Sequence, residues 1–134
     1  MIYGDIRNSG AWHAWAGTAF EAVCLQHRKK IAQLLGFSGI RYNSGPFFET
    51  GENASQIDLL FDRDDKVFTL CEAKHQITPV GKTIIQEVER KAQRLVALYP
   101  KRTVHRVLLV SGDVSSEVER SGYFYRIIRA EELA

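Results

Sequence analysis

The chain carries Gln56-Ile57-Asp58-Leu59-Leu60-Phe61-Asp62 and, shortly after it, Cys71-Glu72-Ala73-Lys74. Each stretch has the apolar character of a strand, and the polar stretch 63–66 between them is of hairpin length. Side chains of a strand alternate between its two faces, so Glu72 and Lys74 share one face. Antiparallel pairing around 63–66 brings Asp58 close to Glu72. We therefore expect a β-hairpin that carries one carboxylate on each strand and a lysine beside them.

The expected pair of carboxylates predicts a divalent-metal site. Two carboxylates at close range repel each other unless something neutralises them. Mg²⁺ prefers hard oxygen ligands and is often held by one or two carboxylates together with substrate phosphate, and Mn²⁺ is expected to substitute. Lys74 then serves as a point charge on the scissile phosphate or on the attacking water. The alternative is an ordinary hairpin with a surface ion pair, and the residues alone leave both interpretations open.

Composition predicts one soluble domain over residues 1–134. The chain is 45% apolar and 25% charged, which is ordinary for a globular protein, and its length suits a single core. No apolar run is long enough to cross a membrane and no signal-peptide pattern is present. Cys24 and Cys71 lie in apolar surroundings and lack the spacing of a zinc site, which is typical of buried, reduced thiols in a cytoplasmic protein.

Charge is distributed unevenly along the chain, although the net charge is only +2. Seven acids against two bases lie in 49–72, and nine Lys or Arg against three acids lie in 90–129. An acidic centre followed by a basic half favours a metal site beside a surface that binds phosphates, and so a DNA partner. A solvated surface of mixed charge is the alternative.

Hydrophobic periodicity predicts the order α-β-β-β-α-β, followed by a short strand. The apolar stripe over 12–35 predicts one long helix that ends at Gly36, after a loose lead-in over 1–10. A second helix is expected over 82–99. Strands are expected over 38–42, 57–62, 67–74, 104–111 and 123–128, with a loop or irregular hairpin over 43–55, a helical turn within 112–121 and a terminal turn over 130–133.

Further polar residues are candidates for the site or for contacts with DNA. Glu21 lies at the edge of the apolar stripe of the first helix, so it is either a third acid that points at the sheet or an exposed glutamate. Gln76 follows Lys74 on the same face, where it would orient a water or a phosphate. Basic clusters on the two helices are either solvated faces or phosphate contacts. The residues predicted to contact nucleic acid are Arg28, Lys29, Lys30, Gln76, Arg90, Lys91 and Arg94.

Taken together, these motifs resemble the PD-(D/E)XK nuclease superfamily. The matching residues are Glu21 on the first helix, Asp58 on one strand, and Glu72-Ala73-Lys74 on the next. More narrowly, the chain is similar to the nuclease-like domain that lies C-terminal to ATPase modules in archaeal and bacterial proteins. The segments that carry this similarity are 14–24, His27, 35–39, 56–63, 70–74 and 121–133.

The resemblance implies a restriction-endonuclease-like α/β fold with a mixed central sheet flanked by helices. It also implies an Mg²⁺-dependent DNA endonuclease in which Asp58, Glu72 and Glu21 are metal ligands and Lys74 is the catalytic lysine. A Holliday-junction resolvase, acting as a homodimer, is one variant of this function. Because the chain contains no ATPase module, it is expected to be either a stand-alone nuclease or a domain that works beside such a module. The alternative is a non-catalytic DNA-binding or docking module derived from such a domain.

Overall fold

The structure is a computed structural model that describes residues 10–52 and 54–134, except for the side chain of residue 13. Most of the lead-in predicted over 1–10 lies outside these residues. No helix in the described part of the chain is long and apolar enough to cross a membrane. The helices are α1 Gly10–Gln26, α2 Arg28–Leu35, α3 Thr83–Leu98 and α4 Ser116–Ser121, and the strands are β1 Tyr42–Glu49, β2 Ser55–Arg63, β3 Val67–His75, β4 Thr103–Ser111 and β5 Arg126–Arg129, followed by a 3₁₀ turn Ala130–Leu133.

The five strands form one mixed sheet in the order β1-β2-β3-β4-β5. The β1/β2 and β2/β3 pairs are antiparallel, whereas β3/β4 and β4/β5 are parallel. A parallel pair needs a crossover, and α3 supplies it between β3 and β4. The prediction of a mixed α/β sheet flanked by helices is therefore confirmed.

Each face of the sheet has its own apolar core, because the strand side chains alternate. On one face, Phe20 and Cys24 of α1 and Ile31 of α2 pack with Cys71 and Leu109 of the sheet. On the other face, α3 packs its buried side over the neighbouring strand positions. The residues of this second core include Leu60, Leu70, Val88, Ala92, Leu95, Leu108 and Val110. The acids of the hairpin thus lie in a sheet that is covered on both sides.

The predicted long helix over 12–35 is divided at His27. The amide of His27 is shared between the carbonyl oxygens of Val23, at 3.0 Å, and Cys24, at 3.2 Å. Shared bonds of this kind are common at helix ends. The apolar stripe continues across the break, so periodicity alone predicts one helix. The expected end at Gly36 is confirmed, with Gly36 in the left-handed conformation at φ 83°.

The prediction of a strand over 38–42 is wrong. Of the two alternatives for 43–55, the structure forms the irregular hairpin, since β1 covers most of that stretch and pairs antiparallel with β2. Judged from the local sequence alone, Gly45 and Pro46 indicate a loop. In the sheet, the register shifts between Gly45 and Phe47, and Pro46 falls at this irregularity of an edge strand. Edge strands and bulges tolerate proline because no ladder donor is needed there. The last strand is also shorter and later than predicted, at Arg126–Arg129.

Candidate functional site

The β2/β3 ladder stops immediately before Asp58. Its pairs run from Asp62↔Phe68 to Leu59↔Cys71, so the next position would place Asp58 level with Glu72. Instead of pairing through its backbone, Asp58 accepts a hydrogen bond at Oδ2 from the amide of Ala73, at 2.9 Å. The carboxylate of Asp58 therefore fills the gap where the two strands separate. We call Asp58, Glu72 and Ala73 the strand fork.

A bulge in β2 directs Asp58 into the fork. Gly45 pairs with Leu60 and Phe47 pairs with Ile57, so β2 has one residue more than β1 in this interval. Such an insertion bends a strand and redirects a side chain. The bulge also turns the side chain of Ile57 to the opposite face of the sheet from Leu59, although strict alternation predicts that the two share a face. Ile57 packs instead in the core that contains Leu60.

Glu72 is almost completely buried, with 2% of its surface exposed. Both of its carboxylate oxygens accept hydrogen bonds from Nζ of Lys91 on α3, at 2.7 and 3.1 Å. Burial raises the pKa of Glu72 to about 7, and a hydrogen bond with Asp58 contributes in the same direction, while Lys91 opposes the rise. Burial and Asp58 together therefore raise the pKa of Glu72 by more than Lys91 lowers it.

Glu21 approaches Asp58 from α1, on the face opposite to α3. Burial raises the pKa of Glu21, and both the charge of Asp58 and a hydrogen bond with it add to the rise. Lys74 and Lys91 act on the same carboxyl group in the opposite direction. Three acids therefore meet at the fork, and Glu21 is directed at the sheet.

Lys74 lies beside these acids at the end of β3. Its side chain is 32% exposed, and its Nζ atom lies 3.3 Å from Oε2 of Glu87 on α3. Lys74 also lowers the pKa of Glu21, which places its charge within reach of the fork. Lys74 is therefore a partly solvated cation that is paired with Glu87 and acts on the Glu21 carboxyl group.

Within residues 10–52 and 54–134, no three His, Cys, Asp or Glu side chains are placed to ligate one metal ion as they stand. The contacts of the fork give the reason: both oxygens of Glu72 face Lys91, and one oxygen of Asp58 faces an amide. The donors themselves are carboxylate oxygens, which suit Mg²⁺ or Mn²⁺. In the structure, the ammonium group of Lys91 occupies both oxygens of Glu72.

The neighbouring thiols do not add soft ligands. Burial, followed by the charges of Asp58 and Glu21, raises the pKa of Cys24 to about 12. Burial raises the pKa of Cys71 well above its ordinary value. Metals bind the thiolate, so two buried thiols of this kind leave the site to its carboxylates.

The loop after β4 is packed tightly against the end of β3. The amide of Gln76 donates to the carbonyl oxygen of Ser111 at 3.3 Å. Gly112 has φ 117°, and a Cβ atom there would lie 2.5 Å from the carbonyl oxygen of Gln76, so only glycine fits. The side-chain amide of Gln76 donates to the carbonyl oxygen of Thr78, at 3.4 Å, and so contacts its own loop.

The basic residues predicted to bind DNA are placed unequally. Arg28, Lys29 and Lys30 are exposed on α2, on the same face of the sheet as α1, whereas Arg90 is exposed on α3 on the other face. The two clusters therefore lie on opposite sides of the sheet. Their role as phosphate contacts stays a prediction.

The other two cations of α3 that are predicted to contact DNA are each paired with a carboxylate. Arg94 is bound to Glu49 through two hydrogen bonds, of 2.7 and 2.8 Å. Lys91 is only 14% exposed and is bound to Glu72, because its position three residues after Val88 and four before Leu95 lies on the buried side of the helix. That spacing was the available signal that Lys91 belongs to the site.

Comparisons with known proteins assign no family to this chain. No family model matches it, and no curated protein matches it. A solved structure described as "Crystal Structure of Protein of Unknown Function AF1548" is similar with a TM-score of 0.47 and 19% sequence identity. The similarity covers 80% of this chain and 56% of that one, so this chain spans just over half the length of its structural neighbour. A similarity at this level assigns no activity.

Proposed function

We propose that this protein is a divalent-metal-dependent DNA endonuclease with a PD-(D/E)XK, restriction-endonuclease-like fold. The observation that carries the proposal is the convergence of Glu21, Asp58 and Glu72 at the strand fork, with Lys74 beside them. Three carboxyl groups gathered at a break in strand pairing destabilise the metal-free protein through their mutual repulsion. A bound divalent cation would offset this repulsion. Hydrolysis of a phosphodiester assisted by Mg²⁺ is a reaction that uses such a cation.

The residues of the fork divide the work in a definite way. Asp58 and Glu72 would hold Mg²⁺, with Glu21 as an additional acid on the other side of Asp58. When bound, the ion supplies an activated water and neutralises charge on the phosphate. Lys74 holds the scissile phosphate or the attacking water as a point charge. The amide of Ala73 keeps the Asp58 carboxylate in place between the strands.

DNA is the proposed substrate because exposed cations lie on the helices that cover both faces of the sheet. Lys29 and Lys30 lie on α2, and Arg90 lies on α3. Cations on both sides would follow the two strands of a duplex, and each phosphate contact would release counterions. A homodimer making paired cuts in a four-way junction, or an association with an ATPase module, are variants of the same proposal.

A second candidate function is a non-cutting DNA-binding or docking module. The observation that favours it is the ion pair between Lys91 and Glu72, which already neutralises one of the acids without any metal. A module of this kind would bind DNA but would not hydrolyse it.

Cleavage of supercoiled, linear and four-way DNA, with Mg²⁺ or with EDTA, tests the proposal. We expect the wild-type protein to cut at least one of these forms in Mg²⁺ only, and Asp58→Asn and Lys74→Ala to abolish cutting while keeping the far-UV circular dichroism of the fold. Lys66→Ala, which removes an exposed lysine at the other end of β3, is the matched control and should cut normally. Binding of DNA in Ca²⁺ without cleavage in Mg²⁺ or Mn²⁺ would support the second candidate instead. Equal cutting by Lys74→Ala and wild-type protein would show that the site is assigned wrongly.

A further inference from the structure

Lys91 occupies the space in which Glu72 would ligate a metal ion. Its Nζ atom is bound to both oxygens of the carboxylate, at 2.7 and 3.1 Å, and so lies between their lone pairs. Mg²⁺ binds carboxylate oxygen at about 2.0–2.1 Å, in the same region of space. An ammonium group and a divalent ion cannot share that region, because their like charges would be only a few ångströms apart.

We propose that Lys91 is a built-in cation that holds Glu72 in the metal-free protein, competes with the divalent ion for it, and so sets the metal affinity of the site. This inference rests on the proposed function, because it takes Glu72 as a metal ligand. It makes Lys91 a positioning residue, which acts on the reaction through Glu72.

The surroundings of Lys91 allow it to leave. Burial of Glu72 is nearly complete, but 14% of the Lys91 side chain remains exposed, so Lys91 lies at the boundary between the core and solvent. Glu87 lies four residues earlier on α3, and its side chain is 49% exposed. A glutamate four residues before a lysine is a favourable pair on a helix surface. Glu87 is already paired with Lys74, at 3.3 Å, so a displaced Lys91 would share this carboxylate with Lys74.

Calorimetric titration of the metal-free protein with Mn²⁺ at about pH 8 tests the competition, since metal affinity requires an ionised carboxylate. Lys91→Met removes the competing charge, and we expect it to bind Mn²⁺ about tenfold more tightly than the wild-type protein, equivalent to about 1.4 kcal/mol. Lys82→Met removes an exposed charge immediately before the same helix and should leave the affinity unchanged. Lys91→Gln is a second neutral variant, to be used if Lys91→Met does not fold.

A labelling experiment on the wild-type protein requires no variant. Addition of Mn²⁺ should increase the reaction of Lys91 with an amine-specific reagent, measured by peptide mass spectrometry, whereas the exposed Lys29 should react equally with and without Mn²⁺.

The outcomes separate this inference from the proposed function. Tighter binding by Lys91→Met, with increased labelling of Lys91, supports it. Equal or weaker binding by the neutral variants, with unchanged labelling, overturns the competition and leaves the nuclease proposal standing. Absence of Mn²⁺ binding in wild-type and variant proteins alike overturns both.

Discussion

Glu72→Gln measures the electrostatic cost of the strand fork. In the native protein, burial and Asp58 raise the pKa of Glu72 from 4.5 to about 7, and Lys91 opposes them. Because the folded state holds this proton more tightly than the unfolded state, the contribution of Glu72 to stability is greatest below about pH 4.5 and is lost as the pH rises through about 7. One pKa unit corresponds to about 1.4 kcal/mol, so the loss amounts to about 3 kcal/mol.

The assay is urea unfolding followed by far-UV circular dichroism, in EDTA, at several pH values between about 4.5 and 8. We expect the free energy of unfolding of the wild-type protein, minus that of Glu72→Gln, to fall by about 3 kcal/mol across this range. Subtraction removes the titration of distant groups and any constant cost of leaving Lys91 with a neutral partner. Glu87→Gln, which removes an exposed carboxylate from the helix that carries Lys91, is the matched control for the loss of one negative charge.

The sign of the change decides between two opposing forces. A difference that rises with pH would mean that the ion pair with Lys91 outweighs burial and keeps Glu72 ionised in the folded protein. A difference that stays flat would mean that the two effects cancel. Either result would refute our assignment of burial and Asp58 as the dominant causes.

Three further predictions concern metal binding, backbone geometry and DNA binding. Asp58→Asn keeps an acceptor for the amide of Ala73 and removes a charge, so it should melt no lower than wild type in EDTA. It should lose the stabilisation expected from Mg²⁺ at about tenfold its Kd, which is about 1.4 kcal/mol or about 3 °C in Tm. A full Mg²⁺ response in this variant would show that Asp58 is not a ligand. Gly112→Ala should destabilise the fold by about 2 kcal/mol or more in urea unfolding, because its Cβ atom would collide with a backbone carbonyl at φ 117°, whereas Gly81→Ala, which meets nothing within 4 Å, should not. DNA binding in Ca²⁺ should weaken with salt, and Arg90→Ala should lower the slope of log K against log salt by about one unit. Arg94→Ala should leave the slope unchanged, because the guanidinium of Arg94 is already held by Glu49. Equal slopes for Arg90→Ala and wild type would show that Arg90 does not contact DNA.

The parts of the protein that depend on local pattern could be predicted from the sequence. Alternation in 57–62 and 67–74 predicted β2 and β3, and antiparallel pairing around 63–66 predicted their register, although the bulge places Ile57 on the other face. The same reasoning brought Asp58 level with Glu72. Helical periodicity likewise predicted α3 to within a residue at each end.

The features that depend on a neighbour distant in the chain could be seen only in the folded protein. Pro46 lies in a strand because an edge and a bulge excuse its missing amide, which no local pattern can show. Asp58 bonds to Ala73 because the ladder ends there. In the sequence, Lys91 is one member of a basic cluster. In the fold, α3 packs on the sheet with Lys91 on its buried side, where Lys91 supplies the counter-charge of the buried Glu72. The sequence thus predicted the acids that meet at the fork, whereas the fold decides which cation pairs with Glu72, because the pairing of buried charge is settled only when two distant elements come into contact.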